Sequence, residues 1–320
     1  MRVAVAAGAA GVEGLNHADP EPHSLGPGTG ARRAVGSPAV DDVTFYGLRR
    51  GDGPAEWRFD VVRNLCSGIG ALFGGAGLGA SITALEQHTG RPTVWATAQF
   101  LEFATPPSEV VLSVEEVVRG HQVSQARAVG RVDGREIFTV NAALGERDVP
   151  YSGEWAERPT HLPHWSECRD REIPEHMQGT ISDRIDMRLA DAKMWEEFDG
   201  TPGSGRSALW VRLPEILENS AAALAIVGDY VPFGISQALG VHAGGNSLDN
   251  TLRITSRTPT EWILADIRIH AVGHGFGHGL VHLWSEDGVL LGSASQSAIV
   301  RQFREEPRVI TPRTDRTPKF

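Results

Sequence analysis

The chain has 320 residues, 41% hydrophobic and 22% charged, a balance typical of a soluble globular protein with one large or two ordinary domains. Its formal net charge of -10 disfavours a broad nucleic-acid-binding surface, and its two cysteines exclude a disulfide framework and favour a reducing, cytoplasmic location. No run of about 18 apolar residues is present, so we expect no membrane span.

The N-terminal half of the chain predicts a tail, a helix and a run of strands. Residues 1–40 are rich in glycine, alanine and proline without periodicity, which predicts a disordered tail rather than a signal peptide. Residues 72–91 (LFGGAGLGASITALEQHTGR) predict a helix that begins in glycines and ends near Gly90. The strands predicted after it are TVWATAQFLEF, EVVLSVEEVVRG, VSQARAVGRV and IFTVNAAL, with an Asp-Gly hairpin turn at residues 132–135.

A proline- and charge-rich linker, residues 146–172, precedes a second series of elements. One long helix is predicted over residues 214–231 (PEILENSAAALAIVGDYV). The strands predicted around it are ISDRIDMRLAD, SALWVRL, NSLDNTLRIT, TEWILADIRIHAV, GHGLVHLWSEDG and VLLGSASQSAIVR.

The two series of elements are copies of one another. The aligned segments are residues 106–120 with 258–272, and residues 132–142 with 286–296. The duplication predicts two α+β units, residues 41–145 and residues 173–304, each with a long helix and antiparallel strands. Residues 305–320 would then form a C-terminal tail.

Four histidines recur every four residues near the C-terminus: His270, His274, His278 and His282. On a helix they would share a face and could bind zinc, but the glycines between them disfavour a helix, and the alternation before them is typical of a strand. Successive histidines on a strand would stand about 13 Å apart, too far for one ion with metal–nitrogen bonds of about 2.1 Å. We therefore predict a polar strand face with a glycine-rich bulge and no metal site.

The order and duplication of these elements resemble the acyl-CoA thioesterase II family, whose chains join two hotdog units, each a long helix wrapped by an antiparallel sheet. LFGGAGLGA resembles the Phe-Gly-Gly helix start of that family, and NSLDNTLRI resembles its Ser/Thr-Leu-Asp strand. WSEDGVLLGSASQSAIVR resembles its closing hairpin, in which a glutamine-bearing strand follows an Asp-Gly turn. The resemblance covers about residues 57–304.

The resemblance implies a double hotdog fold and hydrolysis of acyl-CoA to a free acid and CoA by an activated water, with no metal or cofactor. The implied partner is the acyl-CoA substrate, and pairing into homodimers or higher oligomers of double hotdogs is possible. By position, the implied catalytic residues are Asp229, Ser247 and Gln296, and the implied substrate-binding residues are Phe73, Gly74 and Gly75.

The same residues suit this chemistry on their own terms. A carboxylate such as Asp229, in an otherwise apolar run, can orient a water or accept its proton. A hydroxyl and an amide can hold that water, and backbone N–H groups near Gly74 and Gly75 at the start of a helix can stabilise an oxyanion.

The first copy lacks the three catalytic groups. Aligned against the second copy, Ala96 falls opposite Ser247 and Ala142 falls opposite Gln296, and the first helix has no acid before Glu86. If the three groups were requirements of the fold, both copies would carry them. Their presence in one copy favours a single active site in the second unit.

Several alternatives stay open at this point. Asp229 could lie at a helix end and face water, Ser247 could simply begin a strand, and Gln296 could satisfy the sheet core. Asp249, which alternates with Ser247 along one strand, is a second candidate for the base. The chain could instead be a hotdog hydratase or dehydratase of enoyl-thioesters, or a protein that binds acyl-CoA without turnover.

Overall fold

The computed structural model describes residues 40–216 and 219–303. The tail predicted over residues 1–40, apart from Val40, and the tail predicted over residues 305–320 lie outside the described residues.

The first series of elements surrounds one central helix. Its elements are α1 (Asp42–Tyr46), β1 (Arg49–Arg50), β2 (Glu56–Val61), α2 (Gly74–Thr89), β3 (Thr93–Phe100), β4 (Ser108–Arg119), β5 (Val123–Val132) and β6 (Arg135–Gly145). Helix α2 ends at the left-handed Gly90 and packs against β3, β4, β5 and β6. Asp133 (φ 50°) and Gly134 (φ 77°) form the turn between β5 and β6. The predicted helix, the four strands and the turn are therefore confirmed.

The second series repeats this arrangement with a divided helix. Its elements are β7 (Arg169–Asp170), β8 (Asp186–Asp191), β9 (Arg206–Arg212), α3 (Ala221–Val227), α4 (Val231–Leu239), β10 (Ala243–Ser247), β11 (Asp249–Ile254), β12 (Ile263–Gly273), β13 (Phe276–Ser285) and β14 (Leu290–Gln302). Helix α4 packs against β9, β10, β12, β13 and β14.

Within the described residues, 14 strands form one antiparallel sheet. Its order is β1-β2-β4-β5-β6-β3-β11-β14-β13-β12-β9-β8-β7, and β10 pairs with β14. The order β2-β4-β5-β6-β3 of the first series thus recurs as β9-β12-β13-β14-β11 in the second. This repetition, with a helix on each half of the sheet, confirms the predicted α+β double hotdog.

The two halves of the sheet meet where β3 pairs with β11. Thr97 lies opposite Thr251 in that pairing, and the two hydroxyl oxygens are 2.5 Å apart. Because Thr97 and Thr251 occupy equivalent places in their own halves, this pair marks the approximate two-fold axis between the copies.

The helix predicted over residues 214–231 is wrong in its bounds and its continuity. The chain forms α3 and then α4, with Gly228, Asp229 and Tyr230 between them. Pro232 stands in the first turn of α4, where its missing N–H costs nothing. In one continuous helix the same proline would remove a backbone hydrogen bond and clash with the preceding turn.

One helical stretch among the described residues, Ala221–Leu239, is long and apolar enough by length and composition to cross a membrane. Its mean hydropathy is 1.3, and 78% of its most apolar window is buried inside the fold. The buried share fits a core helix, because the apolar side chains already pack against protein rather than lipid.

Two strands predicted in the second series begin or end elsewhere. The segment ISDRIDMRLAD starts as a short 3₁₀ turn, Ile181–Arg184, so the strand is confined to β8. The segment NSLDNTLRIT is not one strand, because the chain is interrupted at Leu248 between β10 and β11. That interruption changes which face of the sheet the following side chains occupy.

The four histidines lie on the hairpin of β12 and β13. The glycine-rich segment predicted as a bulge is a two-residue turn, formed by His274 (φ 53°) and Gly275 (φ 83°). A shift of register does occur nearby, between Ile269 and Ala271 on β12. His278 Nδ1 lies 3.0 Å from the Ser297 hydroxyl, and His282 Nδ1 lies 3.8 Å from the Asp266 carboxylate. The histidines therefore serve different contacts along the hairpin.

Candidate active site

Asp229 lies at the break between α3 and α4, in the centre of the second unit. Its side chain is 6% exposed. The break exists because Pro232 starts a new helix, and it turns the Asp229 carboxylate toward the start of α2 in the first unit. A kink inside a buried helical segment is thus the feature that places a carboxylate in the core.

Two groups hold the Asp229 carboxylate. Its Oδ2 accepts a hydrogen bond of 2.5 Å from the backbone N–H of Gly75, and its Oδ1 accepts one from the side-chain amide of Gln296. The same Gln296 amide nitrogen lies 3.1 Å from the Ser247 hydroxyl oxygen, to which it donates. The three residues predicted to be catalytic are therefore brought together in one hydrogen-bonded group.

The orientation of Gln296 is fixed from its other end. Its Oε1 accepts a hydrogen bond of 3.1 Å from the backbone N–H of Val231, the first residue of α4. Because the oxygen is used by the helix, the nitrogen must face Asp229 and Ser247. The side chain of Gln296 is 3% exposed, so this orientation is also protected from water.

Burial makes Asp229 a weaker acid. It raises the pKa of the carboxyl group to about 7, although the hydrogen bonds from Gly75 and Gln296 act in the opposite direction. A carboxyl group with a pKa near neutrality can both accept and return a proton under physiological conditions.

For any reaction in which Asp229 serves as a base, we expect kcat/KM to rise with pH and level off above about pH 7, because a base must be ionised to accept a proton and burial raises the pKa of Asp229 to about 7. The measurement is the pH profile of kcat/KM for the wild-type enzyme. A profile that falls as pH increases through this range would show that the protonated form of the group is the active one.

The predicted substrate-binding residues lie beside the carboxylate. A Cβ atom on Gly74 would come within 2.9 Å of Asp229 Oδ2 and of the Phe100 ring, so glycine here permits the close approach of the carboxylate and the ring to the start of α2. A Cβ atom on Gly75 would come within 2.6 Å of the Ala225 carbonyl oxygen, so glycine here permits the close contact of α2 with α3. The Phe73 ring packs against the Tyr230 ring at a centroid distance of 6.4 Å.

Gly75 has a different role from the one its position suggested. Its N–H donates to the Asp229 carboxylate, so in this arrangement that N–H is not directed at an oxyanion. The close packing of α2 on α3 brings the start of α2 within reach of the carboxylate. Gly75 therefore orients Asp229, and the partial positive charge at the start of α2 favours the ionised carboxylate.

The second candidate for the base, Asp249, lies on the other face of the sheet. Its Oδ1 accepts a hydrogen bond of 2.8 Å from the backbone N–H of Ser297, and with Thr97 and Asn141 it lines a shallow depression. The interruption at Leu248 separates its face from that of Ser247. Asp249 is thus not part of the group around Asp229.

The first unit has no carboxylate at the equivalent place. The equivalent place is found by counting back from the left-handed glycine that ends each helix. Asp229 stands eleven residues before Gly240, and Gly79 stands eleven residues before Gly90. The hydroxyl of Tyr46 fills the space beside Gly79, where a Cβ atom would come within 2.1 Å of it. The buried Tyr46 hydroxyl donates to the Ala222 carbonyl oxygen at 2.9 Å, so α1 closes this place with a phenol.

Strand register corrects one counterpart in the sequence alignment. The offset that aligns residues 132–142 with 286–296 also aligns Leu144 on β6 with Ala298 on β14. Ser247 lies opposite Ala298, and Thr93 lies opposite Leu144. The counterpart of Ser247 is therefore Thr93 and not Ala96. Ala142 remains the counterpart of Gln296. The first unit thus keeps a buried hydroxyl but neither the acid nor the amide.

The described residues contain no group of three or more His, Cys, Asp or Glu side chains placed to hold a metal ion. The polar groups of the site are a carboxylate, an amide, a hydroxyl and backbone N–H groups. This set can bind and activate a water molecule beside a carbonyl group.

Two family profiles match the chain. The acyl-CoA thioesterase C-terminal domain matches residues 153–300, and the acyl-CoA thioesterase N-terminal domain matches residues 62–145. Among curated proteins, no sequence matches.

Solved structures show the same fold. A protein of Novosphingobium aromaticivorans described as a candidate thioesterase is 32% identical, with a TM-score of 0.69 over 79% of this chain and 97% of that chain. A hotdog-fold protein of Alicyclobacillus acidocaldarius is 20% identical, with a TM-score of 0.71 over 81% and 97%. The acyl-CoA thioesterase II of Mycobacterium marinum is 18% identical, with a TM-score of 0.65 over 82% and 99%.

The fold and the site define a double hotdog hydrolase of thioesters. The chain belongs to the acyl-CoA thioesterase family, and its activity is hydrolysis of acyl-CoA.

Proposed function

We propose that Asp229 is the base of this hydrolysis and that the reaction proceeds by direct attack of water. The observation that carries the proposal is the hydrogen-bonded group of Asp229, Gln296 and Ser247 in the buried core of the second unit. Its counterpart in the first unit lacks the acid and the amide, so each chain would hold one active site.

The chemical steps need only groups that the site provides. Asp229 accepts a proton from a water held beside it and Ser247, and the water oxygen bonds to the thioester carbonyl carbon. The carbonyl oxygen gains the electron pair and becomes an oxyanion. The backbone N–H of Gly74, at the start of α2, donates the hydrogen bond that stabilises it. The C–S bond then breaks, the proton returns from Asp229 to the sulfur, and the free acid and CoA leave.

The contacts of Asp229 argue against the two rival functions. Hydration of an enoyl-thioester requires proton transfer at carbon, which hotdog enzymes perform with a paired Asp and His. Among the described residues, the Asp229 carboxylate accepts hydrogen bonds from the backbone N–H of Gly75 and the side-chain amide of Gln296. Neither group transfers a proton. A binding protein without turnover would gain nothing from a buried carboxylate whose pKa burial raises to about 7.

The proposal is tested by product analysis with a 2-enoyl-CoA as substrate. Free CoA and the enoic acid in equal amounts are expected. Formation of 3-hydroxyacyl-CoA would show a hydratase, and recovery of bound, intact thioester would show a binding protein. Either result would overturn the proposal.

Replacing Ser247 by Ala is expected to lower kcat about tenfold, because the hydroxyl accepts from the Gln296 amide and holds the attacking water. Ser247→Thr keeps the hydroxyl and should retain most of the activity. Ser297→Ala, which removes a hydroxyl paired with His278 on the other face, is the matched control. Equal activities of the two alanine variants would contradict a role for Ser247.

We further propose that the protein acts in the cytoplasm and assembles into homodimers or higher oligomers of double hotdogs. The free thiols of Cys66 and Cys168 support a reducing compartment. Size-exclusion chromatography with light scattering would determine the oligomeric state.

A further inference from the structure

Arg171 is a core-facing cation that the proposed hydrolysis does not use. Its backbone N–H donates to the Met187 carbonyl oxygen at 2.9 Å, which extends the pairing of β7 with β8 by one residue. Its Nη1 lies 3.3 Å from the sulfur of Met187, a side chain that belongs to the hydrophobic core. The guanidinium therefore lies on the core side of these strands.

Two aromatic side chains at the start of α4 lie near this guanidinium. Its central carbon lies 5.4 Å from the centroid of the Phe233 ring on α4. Its positive charge acts to lower the pKa of Tyr230, against the larger effect of burial, which raises that pKa to about 12. The charges of Arg171 and Asp229 both act on the pKa of Tyr230, so the phenol lies near the guanidinium and near the site.

Arg171 has no carboxylate partner among the described residues, in contrast to its neighbours. Arg169 forms an ion pair of 2.9 Å with Glu197, and Arg188 forms one of 3.0 Å with Asp170. Burial lowers the pKa of Arg171, which shows that the surroundings disfavour its charge. The contact with the Met187 sulfur uses one N–H donor of the guanidinium, and the remaining donors can serve an anionic ligand.

Arg171 keeps part of its surface accessible. Arg171, Phe233 and Phe73 are each half-buried, so none of the three is fully enclosed by the fold. The Phe73 ring contacts the Tyr230 ring on the side of α2. An acyl chain whose thioester lies at Asp229 could therefore follow the Phe73, Tyr230 and Phe233 rings toward the guanidinium.

We propose, on the basis of the hydrolysis proposed above, that Arg171 binds an anionic group of the acyl-CoA substrate. Such a group has two sources, a carboxylate carried by the acyl chain and a phosphate of CoA. The position of Arg171 beside Tyr230 favours the acyl carboxylate, because the long pantetheine arm separates the phosphates from the thioester. A guanidinium accepts a carboxylate through two parallel hydrogen bonds, which gives the pocket a preference for acyl groups with an acidic end.

The test compares matched acyl groups with and without a terminal carboxylate. Succinyl-, glutaryl- and adipyl-CoA are compared with butyryl-, valeryl- and hexanoyl-CoA, and each acyl group is also supplied as an N-acetylcysteamine thioester, which has no phosphate. The enzymes are wild type, Arg171→Met, Arg171→Lys and Arg206→Met, and kcat/KM and the unfolding temperature are measured for each. Arg206 is an exposed arginine at the start of β9 and serves as the matched control.

For at least one chain length, wild type is expected to prefer the acidic acyl group about 10- to 100-fold in kcat/KM. Arg171→Met should remove that preference and leave the neutral acyl groups within about twofold of wild type, and Arg171→Lys should retain part of it. Arg206→Met should change neither. A loss in Arg171→Met that is confined to the CoA thioesters, equal for acidic and neutral acyl groups, would assign the anion to a CoA phosphate.

The inference is overturned if folded Arg171→Met and Arg171→Lys hydrolyse every thioester at the wild-type rate, because Arg171 would then have a structural role alone. In that case hydrolysis of the neutral acyl-CoAs by wild type would still support the proposed function. If wild type hydrolyses none of the thioesters, the proposed function fails, and the assignment of Arg171 to this substrate fails with it.

Discussion

Replacing Asp229 by Asn is expected to lower kcat for acyl-CoA hydrolysis by about 10²- to 10⁴-fold, because the amide cannot accept the proton of the attacking water. The amide also cannot accept from both Gly75 and Gln296 as the carboxylate does, since only one of its two end atoms is an acceptor. The measurement is steady-state thiol release at pH 8, where the wild-type carboxyl group, with a pKa of about 7, is ionised.

Asp249→Asn is the matched control for this substitution. It makes the same chemical change on the other face of the sheet, where Asp249 accepts from the backbone of Ser297. We expect its kcat to stay within about threefold of wild type. An inactive Asp249→Asn enzyme together with an active Asp229→Asn enzyme would show that Asp249 on β11 is the base, and would contradict the assignment of Asp229.

Replacing Gln296 by Leu is expected to have the second-largest effect, a fall in kcat of about 10- to 10³-fold. Leucine removes the donor to Asp229 and Ser247 and leaves the buried N–H of Val231 without its acceptor. The hydrogen bond from Gln296 lowers the pKa of Asp229, so its loss should raise that pKa further. The rising limb of the kcat/KM profile should therefore move to higher pH.

The shift of the pH profile separates a role in the site from a role in folding. Loss of the Val231 hydrogen bond alone is expected to lower the free energy of unfolding by about 1–3 kcal/mol. Gln99→Leu, on an exposed position of β3, is the matched control for the change of side chain. A Gln296→Leu enzyme that is less stable but keeps the wild-type kcat and pH profile would show that the amide only supports the sheet.

Most of the fold could be predicted from the internal duplication of the sequence. The second copy repeats the strand pattern of the first, and the structure places those strands in the same order on either side of the β3–β11 pairing. The grouping of Asp229, Ser247 and Gln296 also follows from the sequence, because each stands at a place that the family resemblance defines, although they are 18 and 49 residues apart along the chain.

Other features depend on contacts between distant segments. The division of the second helix has a local signal in Pro232, which the apolar run around it obscures. The face occupied by Asp249 depends on a one-residue interruption at Leu248, and alternation along a strand does not reveal such an interruption. The use of the Gly75 N–H by Asp229 depends on how α2 packs against α3.

Tyr46 and Arg171 were also beyond the reach of sequence patterns. In the first unit, the phenol of Tyr46 occupies the place equivalent to that of Asp229, and it comes from a five-residue helix, α1, that shows no functional motif. Arg171 lies in the charged linker, where arginines are ordinarily solvated, and the pairing of β7 with β8 is what turns its side chain toward the core. The positions of both residues depend on the way the linker and the N-terminal helix fold onto the duplicated units.

The central claim is that one site per chain hydrolyses acyl-CoA by direct attack of water. Rapid-quench measurement of thiol release by the wild-type enzyme, with acyl-CoA in excess, tests it most directly. The account predicts linear release from the first turnover onward, with free acid and CoA formed in equal amounts. An initial burst of CoA equal to the enzyme concentration, without matching acid, would show a covalent acyl-enzyme and contradict water as the attacking nucleophile.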